Sequence, residues 1–115
     1  MSALARAVAQ RPGPLHDLTR LRIERALAKR ARYRYVHPWV DTVEVGCVVQ
    51  SPCCSRNVDP EGGDIPIAWI KPVEDGWALF SHDHSTGHWL LQGHSVRLQE
   101  LLDVLCIDTQ RVFWP

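Results

Sequence analysis

Two short segments, Glu74-Asp75-Gly76 and Ser85-Thr86-Gly87, each end in glycine and sit between apolar runs. A three-residue hairpin loop needs a left-handed backbone at its last position, which glycine adopts without steric cost. The two segments therefore predict a three-stranded meander, with strands at about 65–71, 77–84 and 88–92. Three-residue loops set Val73 opposite Trp77, Lys71 opposite Leu79, Trp69 opposite Ser81, His84 opposite His88 and His82 opposite Leu90. Opposed residues share a face of the sheet. One face then carries Ile67, Trp69, Trp77, Leu79, Trp89 and Leu91. The other carries Ala68, Ile70, Ala78, Phe80, His82, His84, His88 and Leu90. A slip of one residue would exchange the faces.

Around this meander the helical signals are local. From Pro14 to about Arg34 the chain is rich in Leu, Ala and Arg, with no internal Pro or Gly, and predicts a helix. Ile23, Ala26 and Leu27 point inward, while Arg22, Arg25, Lys29 and Arg32 share a narrow arc on another side. Val43, Val45, Cys47 and Val49 alternate with less apolar neighbours and predict a further strand. Tyr33 to Val36 would add a short extended segment, and Ser51 to Asp64 reads as a long turn-rich loop. Ser95 is the expected N-cap of a second helix. In that helix Leu98, Leu101, Leu102 and Leu105 recur at the spacing of a core-facing stripe. It is expected to cover the tryptophan face. The rings of Phe113 and Trp114 at the chain's end should tuck inside, because leaving them exposed forgoes about 1.5–3 kcal/mol each. The expected fold is α+β: an N-terminal helix, an antiparallel meander of about four strands, and a C-terminal helix packed on the tryptophan-rich face. Residues 1–13 read as a flexible lead and 14–115 as one domain.

The formal charge of zero conceals a split. Residues 1–34 hold nine basic side chains against Asp17 and Glu24, and the remainder is acidic by the same surplus. The expected role of the basic helix is to dock on the acidic body. A grip on nucleic-acid phosphates through Arg22, Arg25, Lys29 and Arg32 is the alternative. No apolar run approaches the roughly 18 residues of a membrane span. Met1 to Gln10 lacks the apolar stretch of a secretory signal. Four cysteines, Cys47, Cys53, Cys54 and Cys106, are then expected as reduced thiols in the cytoplasm.

Candidate chemistry is sparse. His82, His84 and His88 fall on one face and are the best candidates for a zinc site. Solvated histidines near a hairpin tip are the competing reading, with no metal, no cofactor and a chain that folds without either. Cys53 and Cys54 are adjacent, with Arg56 close enough to lower a thiol pKa; simple loop packing is the alternative. No C-x-x-C pair, nucleophile elbow, phosphate loop or dinucleotide fingerprint is present. The expectation is a non-enzymatic interaction or accessory domain. Its second sheet face, apolar at Ala68, Ile70, Phe80 and Leu90, would be covered by the N-terminal helix, a second copy or a protein partner.

The run Ile65-Pro-Ile-Ala-Trp-Ile-Lys71, then Gly76-Trp-Ala-Leu-Phe80 and Gly87-His-Trp89, resembles a bacterial family known as domain of unknown function 3024. The segment Leu98 to Leu105, Asp108 and the closing Phe113-Trp114 fit that family's ending, and the basic helix fits its beginning. The chain departs from the family's pattern at Pro52 to Asn57 and in its histidines. The resemblance implies a small bacterial cytoplasmic protein and carries over no catalytic residue.

Overall fold

A computed structural model describes residues 14–30, 37–52 and 63–114. Helix α1 spans Pro14–Ala28. Five strands follow: β1 Trp39–Thr42, β2 Cys47–Pro52, β3 Asp64–Val73, β4 Gly76–His82 and β5 Trp89–Ser95. Helix α2 spans Leu98–Ile107. The strands form one antiparallel sheet in the order of the sequence. This is the expected α+β meander with one more strand. The extra strand arises where a single strand was expected across Val43 to Val49. Val43 donates its N–H to the Gly46 carbonyl at 3.0 Å, and Gly46 has φ +88°. The alternating valines thus conceal a hairpin turn between β1 and β2.

Helix α1 ends at Ala28, earlier than the expected Arg34, with a tightened last turn in which Arg30 N–H reaches the Leu27 carbonyl at 3.2 Å. The expected segment Tyr33–Val36, Arg32, most of the long loop with Cys53 and Cys54, and the lead 1–13 lie outside the described residues. The inward face of α1 is as expected: Ile23 and Leu27 are buried, with Ala26 at the margin. Helix α2 buries Leu98, Leu101, Leu102 and Leu105. Its N-cap is Arg97, not Ser95. Ser95 still serves the helix start, since its Oγ accepts the Arg97 N–H at 3.0 Å and donates to Glu100 at 2.8 Å.

The register differs from expectation in both later hairpins. Val73 pairs with Gly76, so the β3–β4 connection is the two residues Glu74 and Asp75. Gly76 is needed inside the strand instead of in the loop. Its φ is +144°, and a Cβ there would lie 2.7 Å from the Val96 Cα. In the next hairpin β4 stops at His82, which pairs with Trp89. Asp83 and His88 close a loop of His84 to Gly87, through Asp83 N–H to the His88 carbonyl at 2.8 Å and Gly87 N–H to the Asp83 carbonyl at 2.7 Å. The Asp83 carboxylate builds this wider turn by accepting the Ser85 N–H at 3.0 Å and the Ser85 hydroxyl at 2.7 Å. The expected pairs Val73–Trp77, Lys71–Leu79, Trp69–Ser81, His84–His88 and His82–Leu90 are therefore not those formed.

The consequence is a redistribution of the tryptophans. Trp69 pairs with Phe80 and His82 with Trp89, while Ile70 pairs with Leu79 and Pro72 with Trp77. Trp69 and Trp89 thus share one face, and Trp77 lies on the other. Two register shifts complete the pattern, at Val49/Gln50 against β3 and at Leu79/Phe80 against β5. An extra residue in a bulge breaks the period-two alternation. Ile67 is the unpaired residue of the first, which lets Ile65, Ile67, Ala68 and Ile70 all be buried. Both helices contribute to one core with Cys47, Val49, Ala68, Ile70 and Leu79. Helix α2 therefore covers the Ile70–Leu79 face, not the face of Trp69 and Trp89. Phe113 and Trp114 close this core as expected, both buried.

Docking of α1 is apolar. Ile23 and Leu27 enter the core, whereas Arg22, Arg25 and Lys29 are exposed. The ion pairs of the described helix are internal, Arg20 with Glu24 at 2.9 Å and with Asp17 at 4.0 Å. Among the described residues of the basic arc, Arg22, Arg25 and Lys29 make no ion pair with the sheet, and apolar packing holds the helix. Replacing Arg22, Arg25 and Lys29 together with glutamine is expected to change unfolding free energy by less than about 1 kcal/mol. A urea titration showing a larger, salt-sensitive loss would restore the electrostatic account.

Candidate functional site

The face of the sheet opposite the helices carries a continuous strip of rings. Lys71 Nζ lies 5.0 Å from the Trp69 ring centroid and 5.9 Å from that of Phe80. Trp69 meets Phe80 at 5.3 Å and Trp89 at 5.8 Å between centroids. Trp89 meets His82 edge-on at 4.9 Å, and His82 meets His84 at 4.9 Å. The strip crosses three strands and ends in the β4–β5 loop. Cross-strand pairing puts Asp41, Val48, Trp69, Phe80 and Leu91 in one row of this face. Trp69, Phe80 and Trp89 are half-exposed, and Leu91 is 61% exposed.

Each ring is held in place. Trp69 donates its Nε1–H to the Val45 carbonyl at 2.7 Å, anchoring the indole across the sheet to the β1–β2 turn. Lys71 sits over the two neighbouring rings, a cation–π contact of the order of 0.5–1 kcal/mol at exposed sites. A pre-set aromatic surface loses little side-chain entropy when something lands on it.

The structure separates the expected histidine trio. His82 and His84 come together, with their Nδ1 atoms 3.1 Å apart. His88 is exposed and its carbonyl is engaged in the hairpin. Among the described residues no group of three or more His, Cys, Asp or Glu side chains converges as a metal cage would require. Burial, and then the neighbouring His82, lower the His84 pKa, with Asp83 opposing. The Asp83 carboxyl is held down at about 2, chiefly by the Ser85 hydroxyl and N–H. It therefore stays charged, but it is committed to its own turn.

The described cysteines are structural. Burial raises the Cys47 thiol pKa, with Arg20 opposing. Burial pushes Cys106 up to about 11, and its thiol contacts the Ala26 carbonyl at 3.4 Å. A thiol that stays protonated is a poor nucleophile. A groove of about 460 Å³ lies between α1 and the sheet, lined by Leu18, Arg22, Cys47, Pro72 and Trp77 among others. A second depression of about 440 Å³ runs along α2 beside Val104, Ile107 and Val112. No described helix is long and apolar enough to cross a membrane.

The aromatic strip was hidden from sequence reading by register. Its residues were all recognised as strand residues, but the one-residue differences in pairing assigned Trp69 and Trp89 to the covered side. The signal available was Asp83-His84-Ser85, where an aspartate two residues before a serine favours a turn that widens the loop.

Comparison with known proteins adds one match. A family model described as Domain of unknown function (DUF3024) matches residues 11–115. No curated protein and no solved structure matches the chain.

Proposed function

Because the chain belongs to the DUF3024 family, whose own description is a domain of unknown function, we propose a function from the geometry: a non-enzymatic interaction domain that binds through the uncovered face of its sheet, with a second copy of the chain as the occupant. The observation that carries this reading is the strip of Trp69, Phe80 and Trp89 left half-exposed on the side away from both helices. Aromatic rings are enriched where proteins meet, because each supplies a large rigid contact area.

The choice of occupant follows from charge and area. The face carries Lys71 and Asp41, so it selects no strongly charged partner such as a phosphate backbone. A two-fold pair uses one neutral apolar face twice. Five strands about 4.8 Å apart and some six residues long give a flat area of roughly 500 Å². Two such faces bury about 1,000 Å², the lower end of specific interfaces, so the pair is weak and concentration-dependent. A cytoplasmic setting belongs to the same reading and is supported by Cys47 and Cys106, which are free thiols.

Sedimentation equilibrium tests this directly. The parent chain is expected to pass from monomer to dimer as concentration rises through the micromolar range, and Trp89→Glu to remain monomeric with unchanged far-ultraviolet dichroism. A parent that stays monomeric throughout would end the self-association reading. Binding of labelled single-stranded nucleic acid that is lost in Trp89→Glu would replace it with a base-stacking surface.

A further inference from the structure

We propose that His82 and His84 form a two-nitrogen chelate for a divalent ion of the nickel, copper and zinc group at the end of the aromatic strip. The bite is the first argument. The two Nδ1 atoms are 3.1 Å apart and face each other. With metal–nitrogen bonds of about 2.0–2.1 Å, two ligands on one edge of a tetrahedron are about 3.3–3.4 Å apart, and two adjacent ligands of a square about 2.9 Å. The observed separation falls between these values, so an ion can bridge the rings once each turns its lone pair from the other nitrogen toward the ion. Imidazole suits these ions, and water completes the shell on the solvent side.

The backbone explains why the rings converge. His82 is the last residue of β4, and His84 opens the loop that Asp83 widens. Packing the His82 ring against Trp89 at 4.9 Å fixes one side of the bite. The Asp83 side chain is turned to Ser85 and supports the loop that presents His84. In the metal-free protein the same contact is a hydrogen bond in which one Nδ1–H donates to the other ring. An ion takes the place of that proton at Nδ1, and the proton moves to Nε2 of the same ring, so both rings bind as neutral imidazoles with no net proton released. Two ligands do not make a structural cage, and the core packs on the other side of the sheet. Loading is therefore expected to leave the fold as it is.

Trp89 supplies the reporter, because its ring lies beside His82. Nickel(II) is the probe, since it is paramagnetic and does not oxidise the thiols. It is added to the full chain at a dilution where the protein is monomeric. The expected result is saturable quenching of tryptophan fluorescence, reversed by excess zinc(II). In a proton–nitrogen spectrum the Trp89 indole signal broadens first, Trp69 less, and Trp114 keeps its intensity. His82→Gln and His84→Gln each weaken binding at least about tenfold, while His88→Gln and His94→Gln bind as the parent does. Quenching that survives both His82→Gln and His84→Gln, or that broadens Trp114 as strongly as Trp89, would overturn the proposal. So would an absence of saturable quenching. None of these results depends on self-association, which the sedimentation experiment reads separately.

Discussion

Asp108→Gly is expected to lower the unfolding free energy by about 3–5 kcal/mol, the largest effect of any single polar change. Asp108 is 4% exposed and sits just past α2 in the left-handed region, φ 44° and ψ 52°. Its N–H closes the last turn onto the Val104 carbonyl at 3.1 Å. Its carboxylate then collects the backbone of the closing segment. Oδ1 accepts Val112 N–H at 2.7 Å, Oδ2 accepts Trp114 N–H at 2.9 Å, and both oxygens share Phe113 N–H at 3.2 Å. This ring of donors folds the tail back so that Phe113 and Trp114 enter the core. The Trp114 indole N–H reaches the Leu105 carbonyl at 3.0 Å, and the Arg30 guanidinium lies 5.1 Å from the indole centroid.

Removing an acceptor from buried N–H groups costs about 1–3 kcal/mol for each group left unsatisfied. Glycine is the sharp test because it adopts the left-handed backbone freely and removes only the carboxylate. Asparagine keeps one acceptor oxygen and tolerates the same backbone. It should lose less, about 1–2 kcal/mol. Urea unfolding of the three proteins ranks them parent, Asn, Gly. A Gly variant within about 0.5 kcal/mol of the parent would mean that the carboxylate does not anchor the tail.

Ile70→Ala is expected to cost about 2–5 kcal/mol, and Trp69→Ala, one residue away and a larger truncation, distinctly less. Ile70 is fully buried between Cys47 and Leu79 under both helices. Its loss leaves a cavity that cannot collapse easily. Trp69 is partly exposed on the open face, so less of its surface leaves water on folding than at a fully buried position. What it forfeits is its contact with Phe80 and Trp89 and the bond to Val45. The pair tests the face assignment, because the register expected from three-residue loops would put Trp69 under the C-terminal helix and Ile70 on the opposite face. Matched chemical denaturation of the two variants decides it. A costlier Trp69→Ala would mean that the sheet faces are the other way round.

Several parts of this protein were legible from local pattern. The leucine stripe of α2, the inward positions Ile23 and Leu27, the positions of both later hairpins and the tucked Phe113-Trp114 all came from spacing and composition. These signals are short-range. A helical stripe is set by 3.6 residues per turn, and no distant partner can shift it. The Asp108 anchor was less legible, since one aspartate after a helix reads as an ordinary cap until the tail is seen to return over it.

By itself, the sequence determined which segments are helical, roughly where the sheet turns, and that a tryptophan-rich meander would form. Only the tertiary structure decided which tryptophans are covered. Glycine at the end of a short loop is compatible with two, three or four loop residues, and each choice shifts the strands by a residue. Alternation along a strand has a period of two, so such a shift exchanges inside and outside. The bulges at Ile67 and beside Phe80 add further changes of phase that arise from packing under the helices. The same physics hid the turn at Val43 to Gly46 among alternating valines. The open aromatic face, and with it the candidate site, exists because long-range pairing chose one register among several that the local sequence allowed.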